Sequence, residues 1–532
     1  MSEQLETRLR KLGLPILDGQ GLERLRGDVF LIRSISNVPY LLAVTSESGD
    51  LDNLRNCLEN CNDVGAAIVI GPAGDVIAAL RRSFRTGDID HSTAFEKPTT
   101  AQLGFEFQNN GSRTLLPLTG QLENVLFEVH SAMRDIDGLH APDALDEICK
   151  LLYAKLFDEE NAVKSGFYCF QRAIYRTAEE CASSVRHLYK EAVSDDETLF
   201  GNRIPAYARS RGVFRDPILL SSQAIARCVA LLEPYDIGAS PVDIKGRAFQ
   251  NVLLPATRAG MGQYFTPKSV ITLCISLLAP SVRDVVIDPF CGSGHFLTSA
   301  LDYVRARGGF TERQFHEFAF SRLHGLEKSD RMVRIAMTDM RLHGDGHSNI
   351  RCVDSLLNFE SYADLRSDSF DIVATNPPFG VDLPREALGH LGPFRILDEQ
   401  RGSTASTSLE IVALDRCISL LRPGGRMAIV LPDGILGNRN TAYVREWVKS
   451  VAILKAIISL PIETFTPFGA NIKTSVLILR KYNIGEEPSR KYNVFLADLK
   501  SIGHDAAGRP IQSDDFSAIE ANFDEFIRME GW

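Results

Sequence analysis

Short apolar runs alternate with longer amphipathic segments over residues 237–484. The runs, which include "DVVID", "FDIVAT", "AILKAIISL" and "KTSVLILRKY", are typical of buried strands, and the segments between them have helical spacing. Alternating strands and helices favour parallel pairing, because each crossover helix returns the chain to the same edge of the sheet. This part of the chain is therefore predicted to be α/β, with a doubly wound parallel sheet. A polar tail with a short acidic helix is predicted over 485–532.

A different pattern occupies residues 119–236. In "PDALDEICKLLYAKLFDEE", Leu145, Ile148, Leu152 and Leu156 recur at helical spacing and form one apolar stripe. The stripe predicts an amphipathic helix, and the whole region is predicted to be a helical domain.

The first 118 residues are predicted to form a small α/β domain. "DVFLIRSI", "YLLAVTS" and "GAAIVIG" have the character of strands, and "LDNLRNCLENC" between the last two has that of a helix. The polar, glycine-containing stretch "FQNNGSRTLLPLTG" over 107–120 is the predicted linker to the helical domain.

The segment "DIVATNPPFG", residues 371–380, ends an apolar run with two consecutive prolines. Proline has no backbone N–H group and a fixed φ, so the strand must end by Thr375 or Asn376 and the following loop is stiff. Asn376 is thus presented at the carboxyl edge of the sheet, where ligands bind in open α/β folds. A tight turn that only buries Phe379 in the core is the competing interpretation.

A glycine loop, "DPFCGSG" over 288–294, connects a predicted buried strand with a helix. Gly292 and Gly294 allow close approach of a ligand to the backbone and a sharp turn into the helix. Leu297 stands where the dinucleotide fingerprint has its third glycine, and the Lys-Ser or Lys-Thr of a phosphate loop is missing. A nucleoside-like ligand that need not carry phosphates is predicted here, with a plain strand-to-helix turn as the alternative.

Two acidic residues follow the next two predicted strands. Glu327, in "LHGLEKSD", is placed to accept hydrogen bonds from both hydroxyls of a ribose, and a solvated surface carboxylate is the alternative. Asp354, in "IRCVDSLL", is a candidate partner for an adenine amino group or a cap for the following helix.

The motif "GQYFTPKSV" precedes the glycine loop. Thr266 and Pro267 are predicted to be the N-cap and the first residue of a helix. The functional alternative places Tyr264, Phe265 and the helix N-terminus against the charged end of a ligand.

In their order "GQYFTP", "DPFCGSG", "LE" and "TNPPF", the four motifs resemble the N6-adenine DNA methyltransferases. They resemble specifically the modification subunits of type I restriction–modification systems and close relatives. The segments "ALDEICKLLYAKLFDE" and "DIKGRAFQNVL" share the resemblance, which covers about residues 140–510, whereas residues 1–118 depart from the helical front end of that family. It implies a Rossmann-like methyltransferase sheet, S-adenosylmethionine as cofactor and N6 of adenine in DNA as methyl acceptor.

The resemblance also implies roles for individual residues. Glu327 is expected to hold the cofactor's ribose and Asp354 its adenine. The side-chain oxygen of Asn376 and the carbonyl of Pro377 are expected to accept hydrogen bonds from the target amine, whose lone pair is thereby freed for attack. The implied cofactor-binding residues are Gln263, Tyr264, Phe265, Thr266, Pro267, Lys268, Asp288, Gly292, Ser293, Gly294, Glu327 and Asp354, and the implied catalytic residues are Asn376, Pro377, Pro378 and Phe379.

Composition bears on metal binding, membrane contact and cellular location. Ten cysteines form neither a Cys-x-x-Cys pair nor a zinc-type spacing, so reduced thiols and no metal site are expected. No apolar run reaches the ~18–20 residues that span a bilayer, and the N-terminus has no apolar signal core. A cytoplasmic protein without membrane contact is therefore predicted.

The net charge of the chain limits how it can contact DNA. The formal net charge is −10, so the chain lacks the overall positive charge that is typical of nucleic-acid-binding proteins. DNA contacts must therefore use a local basic surface, such as Arg209, Arg211 and Arg215, or a partner protein. A separate specificity subunit is predicted, and a restriction subunit is a further candidate partner.

Some alternatives stay open. RNA guanine-N2 and protein glutamine methyltransferases share the Asn-Pro-Pro-aromatic motif, and a scaffold without catalysis is a third possibility. For residues 1–118, an interaction domain is favoured over a degenerate nuclease-like domain, because Glu47 and Asp50 have no lysine beside them in "LLAVTSESGD".

Overall fold

The structure of the 532-residue chain is a computed structural model. It divides into two compact units, Met1–Asp195 with Pro217–Ala248, and Asp196–Asp216 with Phe249–Trp532. The residues that the structure describes are 5, 9, 22–24, 29–33, 39–45, 51–60, 66–70, 76–82, 89–92, 116–117, 122–165, 168–172, 175–201, 216–238, 240, 245–246, 249, 265–344, 349–358, 365–389, 391–399, 405–468, 470–488, 491–505, 509, 511 and 515–532.

The first unit begins with a mixed sheet. Its described strands are hydrogen-bonded in chain order, with β3 and β4 parallel and the other neighbours antiparallel. Helix α1 lies between β3 and β4 in the chain, as a parallel pair requires. The elements are β1 Leu22–Arg24, β2 Phe30–Arg33, β3 Pro39–Thr45, α1 Leu51–Asn60, β4 Ala66–Ile70, β5 Val76–Arg82 and β6 Ile89–Ser92.

The three strands and the helix predicted in this region are confirmed, and β1, β5 and β6 were missed. β1 and β6 are short and partly polar, "LER" and "IDHS", and lie at the two edges of the described sheet, where a strand needs no apolar pattern. Glu47, Asp50 and the predicted linker, except its residues 116 and 117, lie outside the described residues.

The helical part of the first unit is built around one long helix. Its elements are β7 Leu116–Pro117, α2 Leu122–Asp137, α3 Ala141–Ser165, α4 Ala178–Gly201, α5 Ser222–Leu232 and β8 Tyr235–Asp236. The predicted apolar stripe of α3 is buried along its whole length. Charged residues on α3 are buried as well: Lys155 pairs with Glu159 at 2.9 Å, and Glu159 accepts the N–H groups of Ile237 and Gly238. Paired charges of this kind fix the loop before residue 240 to the helix.

The second unit contains the predicted large sheet. Its elements are α6 Lys268–Leu278, β9 Val286–Asp288, α7 His295–Arg307, α8 Glu312–Glu317, β10 Leu323–Glu327, α9 Asp330–Leu342, β11 Ile350–Cys352, β12 Phe370–Thr375, β13 Asp382–Pro384, α10 Arg385–Leu388, β14 Ser406–Ser408, α11 Leu409–Leu420, β15 Leu421–Pro432, α12 Asp433–Gly437, α13 Ala442–Val451, β16 Ala452–Ser459, β17 Thr474–Lys481, β18 Phe495–Asp498 and α14 Asp515–Glu530.

The strand order of this sheet is β11-β10-β9-β12-β15-β17-β16-β18 over the residues that can be described. The chain moves outward from β9 through β10 to β11 and then returns to the other side of β9 with β12. This reversal creates a crevice at the carboxyl ends of β9 and β12, the position at which open α/β sheets bind ligands. The α/β prediction and the doubly wound order are confirmed.

The sheet is mixed rather than wholly parallel, which corrects the sequence-based prediction. β17 runs antiparallel to β15 and β16, whereas the strands from β11 to β15 are parallel. Between β16 and β17 the described residues hold only the 3₁₀ turns Ile462–Thr464 and Thr466–Phe468. A parallel neighbour usually needs a crossover helix, and the described part of this connection contains none, so β17 returns as an antiparallel neighbour of β16.

The segment after residue 484 is not a separate tail. β18 extends the sheet by pairing in parallel with β16, and Phe523 of α14 is 1% exposed and packs edge to face on Phe495 of β18. The polar composition of this segment concealed the few apolar residues that anchor it. None of the helices that are described here combines the length and apolarity of a membrane span.

Candidate active site

Asp288 is the last residue of β9 and lies in the crevice. The hydroxyl of Thr375, at the end of β12, donates to Asp288 Oδ1 at 2.5 Å, and the Phe290 N–H donates to the same oxygen at 3.1 Å. Asp288 is 1% exposed, and its Oδ2 accepts no hydrogen bond from the described residues. Burial raises the pKa of Asp288 to about 7, against the opposing effect of the two hydrogen bonds, and the nearby Glu327 adds to the rise.

Glu327 ends β10 and holds the glycine loop. Its Oε2 accepts the N–H of Gly292 at 3.2 Å, and its Oε1 accepts the N–H of Ser329 at 2.8 Å. Glu327 is 9% exposed, so the surface alternative is excluded. The carboxylate therefore links β10 to the glycine loop, and it lines the same cavity as Asp288.

The two loop glycines adopt conformations that favour glycine. Gly292 has a φ of 51° and Gly294 a φ of 84°, both in the left-handed region. Gly294 directly precedes α7, and a Cβ atom there would lie 3.2 Å from the Cβ of Ala336 on α9. The close packing of α7 on α9 beneath the loop thus requires a residue without a side chain.

Asp354 closes a local turn, and no helix directly follows it within the described residues, so its predicted role as a helix cap is not seen. Its Oδ1 accepts the N–H of Leu356 at 3.0 Å, and its Oδ2 accepts a hydrogen bond from Lys328 Nζ at 2.9 Å. Asp354 also lines the cavity, so the second interpretation, a contact with an adenine amino group, stays a prediction.

Thr266 and Asn376 are brought together, although 109 residues separate them in the chain. Asn376 Nδ2 donates to Thr266 Oγ1 at 2.8 Å. This corrects the prediction that Thr266 caps the following helix: α6 starts at Lys268, Pro267 is at the N-cap position, and there is no side-chain cap. The hydroxyl of Thr266 instead accepts the hydrogen bond from the Asn376 amide. The Oδ1 atom of Asn376 is buried and accepts no hydrogen bond from any residue that the structure describes.

Phe379 is 7% exposed and packs edge to face on Phe465, with ring centroids 5.5 Å apart and an interplanar angle of 86°. Phe465 is fully buried and follows the 3₁₀ turn Ile462–Thr464. No periodic pattern marks Phe465 in the sequence, because it lies in an irregular connection far along the chain. Glu410 was also missed: its Oε1 accepts the N–H of Gly380, the residue after Phe379, at 2.6 Å.

His295 is a further cavity residue that was not predicted. It is the first residue of α7, and its ring lies 6.0 Å from that of Phe265. Burial lowers the pKa of His295, although the Asp339 carboxylate lies 3.9 Å from its Nε2 and opposes the shift. This shift favours the neutral imidazole.

A single cavity of about 510 Å³ joins these residues. Its volume lies within the range of small-molecule sites, and its walls are mostly apolar with a few polar groups. It is lined by these predicted residues: Phe265, Thr266, Asp288, Gly292, Ser293, Glu327, Asp354, Asn376, Pro377, Pro378 and Phe379. Pro267, Lys268 and Gly294 lie beside the lining residues in the chain, and Gln263 and Tyr264 lie outside the described residues.

The described ranges contain no group of three or more His, Cys, Asp or Glu side chains arranged to hold a metal ion.

Residues 243–532, more than half of the chain, match the family model of the N-6 DNA Methylase. The chain belongs to this family. The cofactor of the methylase is S-adenosylmethionine, and its reaction is methylation of adenine N6 in DNA. This confirms the fold, cofactor and reaction that the four motifs implied, and nothing in the comparisons supports the RNA, protein or scaffold alternatives.

Among curated relatives, the methylase resembles the EcoEI type I methylase subunit of Escherichia coli, with 26% identity over 75% of this chain and 86% of that protein. It is 31% identical to the EcoKI methylase subunit of Escherichia coli K12 over 46% of each chain. A solved modification subunit of a putative type I restriction enzyme from Vibrio vulnificus shares the fold, with a TM-score of 0.55 and 19% identity over 77% of this chain and 91% of that one.

The residues of the cavity fit the cofactor. Asp288 lines the cavity, and its Oδ2, which accepts no hydrogen bond from the described residues, is a buried acceptor that suits a positively charged group. Gly292 and Gly294 leave the loop backbone open to close approach, and the cavity volume suits a nucleoside with an amino-acid side chain.

Proposed function

We propose that this N-6 DNA methylase is the modification subunit of a type I-like restriction–modification system. In this role it methylates adenine N6 at sites that a separate specificity subunit selects. The proposal rests on the sequence similarity to type I methylase subunits and on the geometry of Asn376.

The observation that carries the proposal is the orientation of the Asn376 side chain. Asn376 lines the cavity and donates from Nδ2 to Thr266 Oγ1, whereas its Oδ1 accepts no hydrogen bond from the described residues. An adenine amine is a poor nucleophile because its lone pair is delocalised into the ring. Asn376 Oδ1 and the Pro377 carbonyl accept its two N–H groups and thereby favour a more tetrahedral nitrogen with a localised lone pair.

Pro378 and Phe379 complete the binding of the base. Pro378 restricts the backbone, which fixes the direction of the Pro377 carbonyl. Phe379 lines the cavity and offers an aromatic contact for a base that has left the duplex. Extrusion of a base costs a few kcal/mol, and base–aromatic stacking, worth about 1–3 kcal/mol, offsets part of this.

Other residues that line the same cavity would hold the cofactor. Glu327 would accept hydrogen bonds from the ribose hydroxyls while it holds the glycine loop, and Asp288 would supply an acceptor for the positively charged methionine end. Asp354 would accept a hydrogen bond from the cofactor's adenine amino group. The sulfonium of S-adenosylmethionine supplies an activated methyl group, so the protein's task is to align donor and acceptor.

Similarity to subunits of larger enzymes supports the role as a subunit. EcoEI and EcoKI are type I restriction enzymes, and the similar chains are their methylase subunits. We infer that this methylase likewise acts in an assembly with DNA, a specificity subunit and, as a further candidate, a restriction subunit.

The experiment uses DNA from cells that lack adenine methylation of their own and express the full chain, with or without the genes beside it. Sequencing of modified bases is expected to find N6-methyladenine at one defined site when the partners are present. Asn376→Ala is the matched control and should leave the DNA unmodified. Methyl groups found on RNA or protein instead of DNA, or a wild-type chain that modifies nothing with its partners, would contradict the proposal.

A further inference from the structure

Two prolines reduce the number of backbone hydrogen-bond donors in the catalytic loop. Pro377 and Pro378 have no N–H groups, so neither can donate to the body of the protein. The first residue after the motif, Gly380, has a φ of 72° and donates its N–H to Glu410 Oε1 at 2.6 Å. Glu410 is 4% exposed and is the second residue of α11.

The bond between Gly380 and Glu410 extends an existing ladder. β13 and β14 pair Asp382 with Ser408, and the next bond joins the Leu409 N–H to the Val381 carbonyl at 2.8 Å. Gly380 and Glu410 are the next opposed pair in the same register. At this point α11 has begun, and the Glu410 side chain supplies the acceptor that a strand backbone would otherwise provide.

The reach of the Glu410 side chain is what the ladder needs. The acceptor must extend from the first turn of α11 to the Gly380 N–H, and a neutral amide oxygen of the same length would also satisfy it. Removal of the acceptor would leave this N–H without its partner. The length of the side chain, rather than its charge, is therefore the property that anchors the end of the loop.

We propose that Glu410 is a positioning residue for methyl transfer, which fixes Phe379 and the Pro377 carbonyl by holding Gly380. Thr266 holds Asn376 at the start of the loop, and Glu410 holds its end. Glu410 does not touch the reacting atoms. This inference rests on the proposed roles of Asn376, Pro377 and Phe379.

The test compares Glu410→Gln with Glu410→Asp in the full chain, purified with the partners that accompany it. Glutamine keeps the reach of the acceptor and loses the charge, whereas aspartate keeps the charge and loses the reach. Glu410→Gln should retain turnover within about tenfold of wild type, roughly 1.4 kcal/mol in the barrier. Glu410→Asp and Glu410→Ala should lose about 100-fold in kcat, the size expected for a shift of about 1 Å, with little change in the Kd for S-adenosylmethionine.

Asp415→Asn is the matched control. Asp415 lies on the same helix, is buried, and also accepts one backbone N–H, that of Ile396 at 2.7 Å, but it does not hold the catalytic loop. Its kcat should stay within about threefold of wild type. An Asp variant that outperforms the Gln variant, or an Ala variant with wild-type kcat, would overturn the proposal.

Hydrogen–deuterium exchange gives a second readout that does not depend on turnover. The peptide over 376–381 has few exchangeable amides because two of its residues are prolines. Wild type and Glu410→Gln should protect this peptide, and Glu410→Asp should not. Equal protection in all variants would overturn the role of Glu410 even in a preparation that fails to methylate DNA, whereas absent methylation by wild type with normal protection would count against the proposed function alone.

Discussion

The side-chain amide of Asn376 donates to the hydroxyl of Thr266 at 2.8 Å, which connects the loop after β12 to the residues just before α6. A primary amide has one donor end and one acceptor end, so in this arrangement the contact with Thr266 occupies the donor end and Oδ1 is left as the acceptor. The relationship thus couples a residue from the first motif to the proposed acceptor for the target base.

Replacing Thr266 tests this coupling. Thr266→Val keeps the shape of the side chain but removes the acceptor, so the Asn376 amide is free to rotate and kcat should fall by about tenfold or more, at least 1.4 kcal/mol in the barrier. Thr266→Ser keeps the hydroxyl and should retain most activity. Steady-state methyl transfer to DNA measures both, and equal kcat values for the two variants would show that the hydrogen bond does not orient Asn376.

Asn376→Ala removes the proposed acceptor itself. We expect methyl transfer to be lost while the Kd for S-adenosylmethionine changes little, because we propose that Asn376 contacts the base rather than the cofactor's ribose or adenine. Calorimetry gives the Kd, and labelled methyl transfer gives the rate. Turnover within about tenfold of wild type would exclude Asn376 from this role.

Cofactor affinity should depend on pH through Asp288. Burial raises the pKa of this carboxyl to about 7 in the free protein, and a positively charged ligand beside Oδ2 favours the ionised form. Binding therefore lowers the pKa and releases a proton, so affinity increases with pH up to about 7 and then levels off. Below pH 7 we expect the Kd to rise by up to about tenfold per pH unit. Calorimetry between pH 5.5 and 8.5 measures this.

Asp288→Asn is the control for this pH dependence. The amide does not titrate in this range, so the variant should bind S-adenosylmethionine more weakly than wild type at pH 8, with a Kd that is nearly independent of pH.

The pH dependence of stability supplies a second check. Because the folded pKa is above the unfolded value near 3.8, the stabilisation that comes from the protonated form is complete below pH 3.8 and is lost as the pH rises through about 7. The melting temperature of the variant should thus gain on wild type between pH 5 and pH 8, and a constant difference would contradict the assignment.

Glu327 should contribute to cofactor binding both directly and through the glycine loop. Glu327→Ala removes the acceptor for the Gly292 N–H and the proposed acceptor for the ribose hydroxyls. A hydrogen bond to a charged group is worth roughly 1.5–3 kcal/mol, so the Kd for S-adenosylmethionine should rise by about 10-fold to 100-fold. Asp330→Asn, which alters a carboxylate 60% exposed on α9, is the control and should bind normally. Equal Kd values would place the ribose elsewhere.

The strand-end residues were predictable because each follows an apolar run. Asp288, Glu327 and Asn376 stand at points where "VVI", "LHGL" and "DIVAT" stop, and parallel pairing then brings those ends to one edge. The physical cause is local: burial dictates the run, and the first polar residue after it has to leave the sheet. Periodicity and loop chemistry together therefore located the site.

Contacts between distant segments left no such local signal. The partnership of Thr266 with Asn376 was hidden because threonine before proline already has a local explanation as a helix cap. Phe465 and Glu410 lie in segments whose sequences carry no motif spacing, and only the tertiary fold brings them to the catalytic loop. The direction of β17 depended on whether a crossover helix precedes it, which the apolar pattern of the strand itself does not report.

Site selection is expected to require a second protein. Specific DNA sites are typically bound ~4–10 kcal/mol more tightly than random DNA, and the 532 residues carry no motif of the known DNA-reading modules and a net charge of −10. Basic stretches such as that around Arg209, which lies outside the described residues, would give contacts to the DNA backbone that weaken steeply with salt.

The purified chain alone should therefore bind DNA of mixed sequence weakly, with a strong dependence on salt, and should not favour one site. Adding the specificity partner should concentrate N6-methyladenine at a single sequence, as sequencing of modified bases would detect. Efficient methylation of one defined site by the chain alone would show that the recognition element lies within these residues.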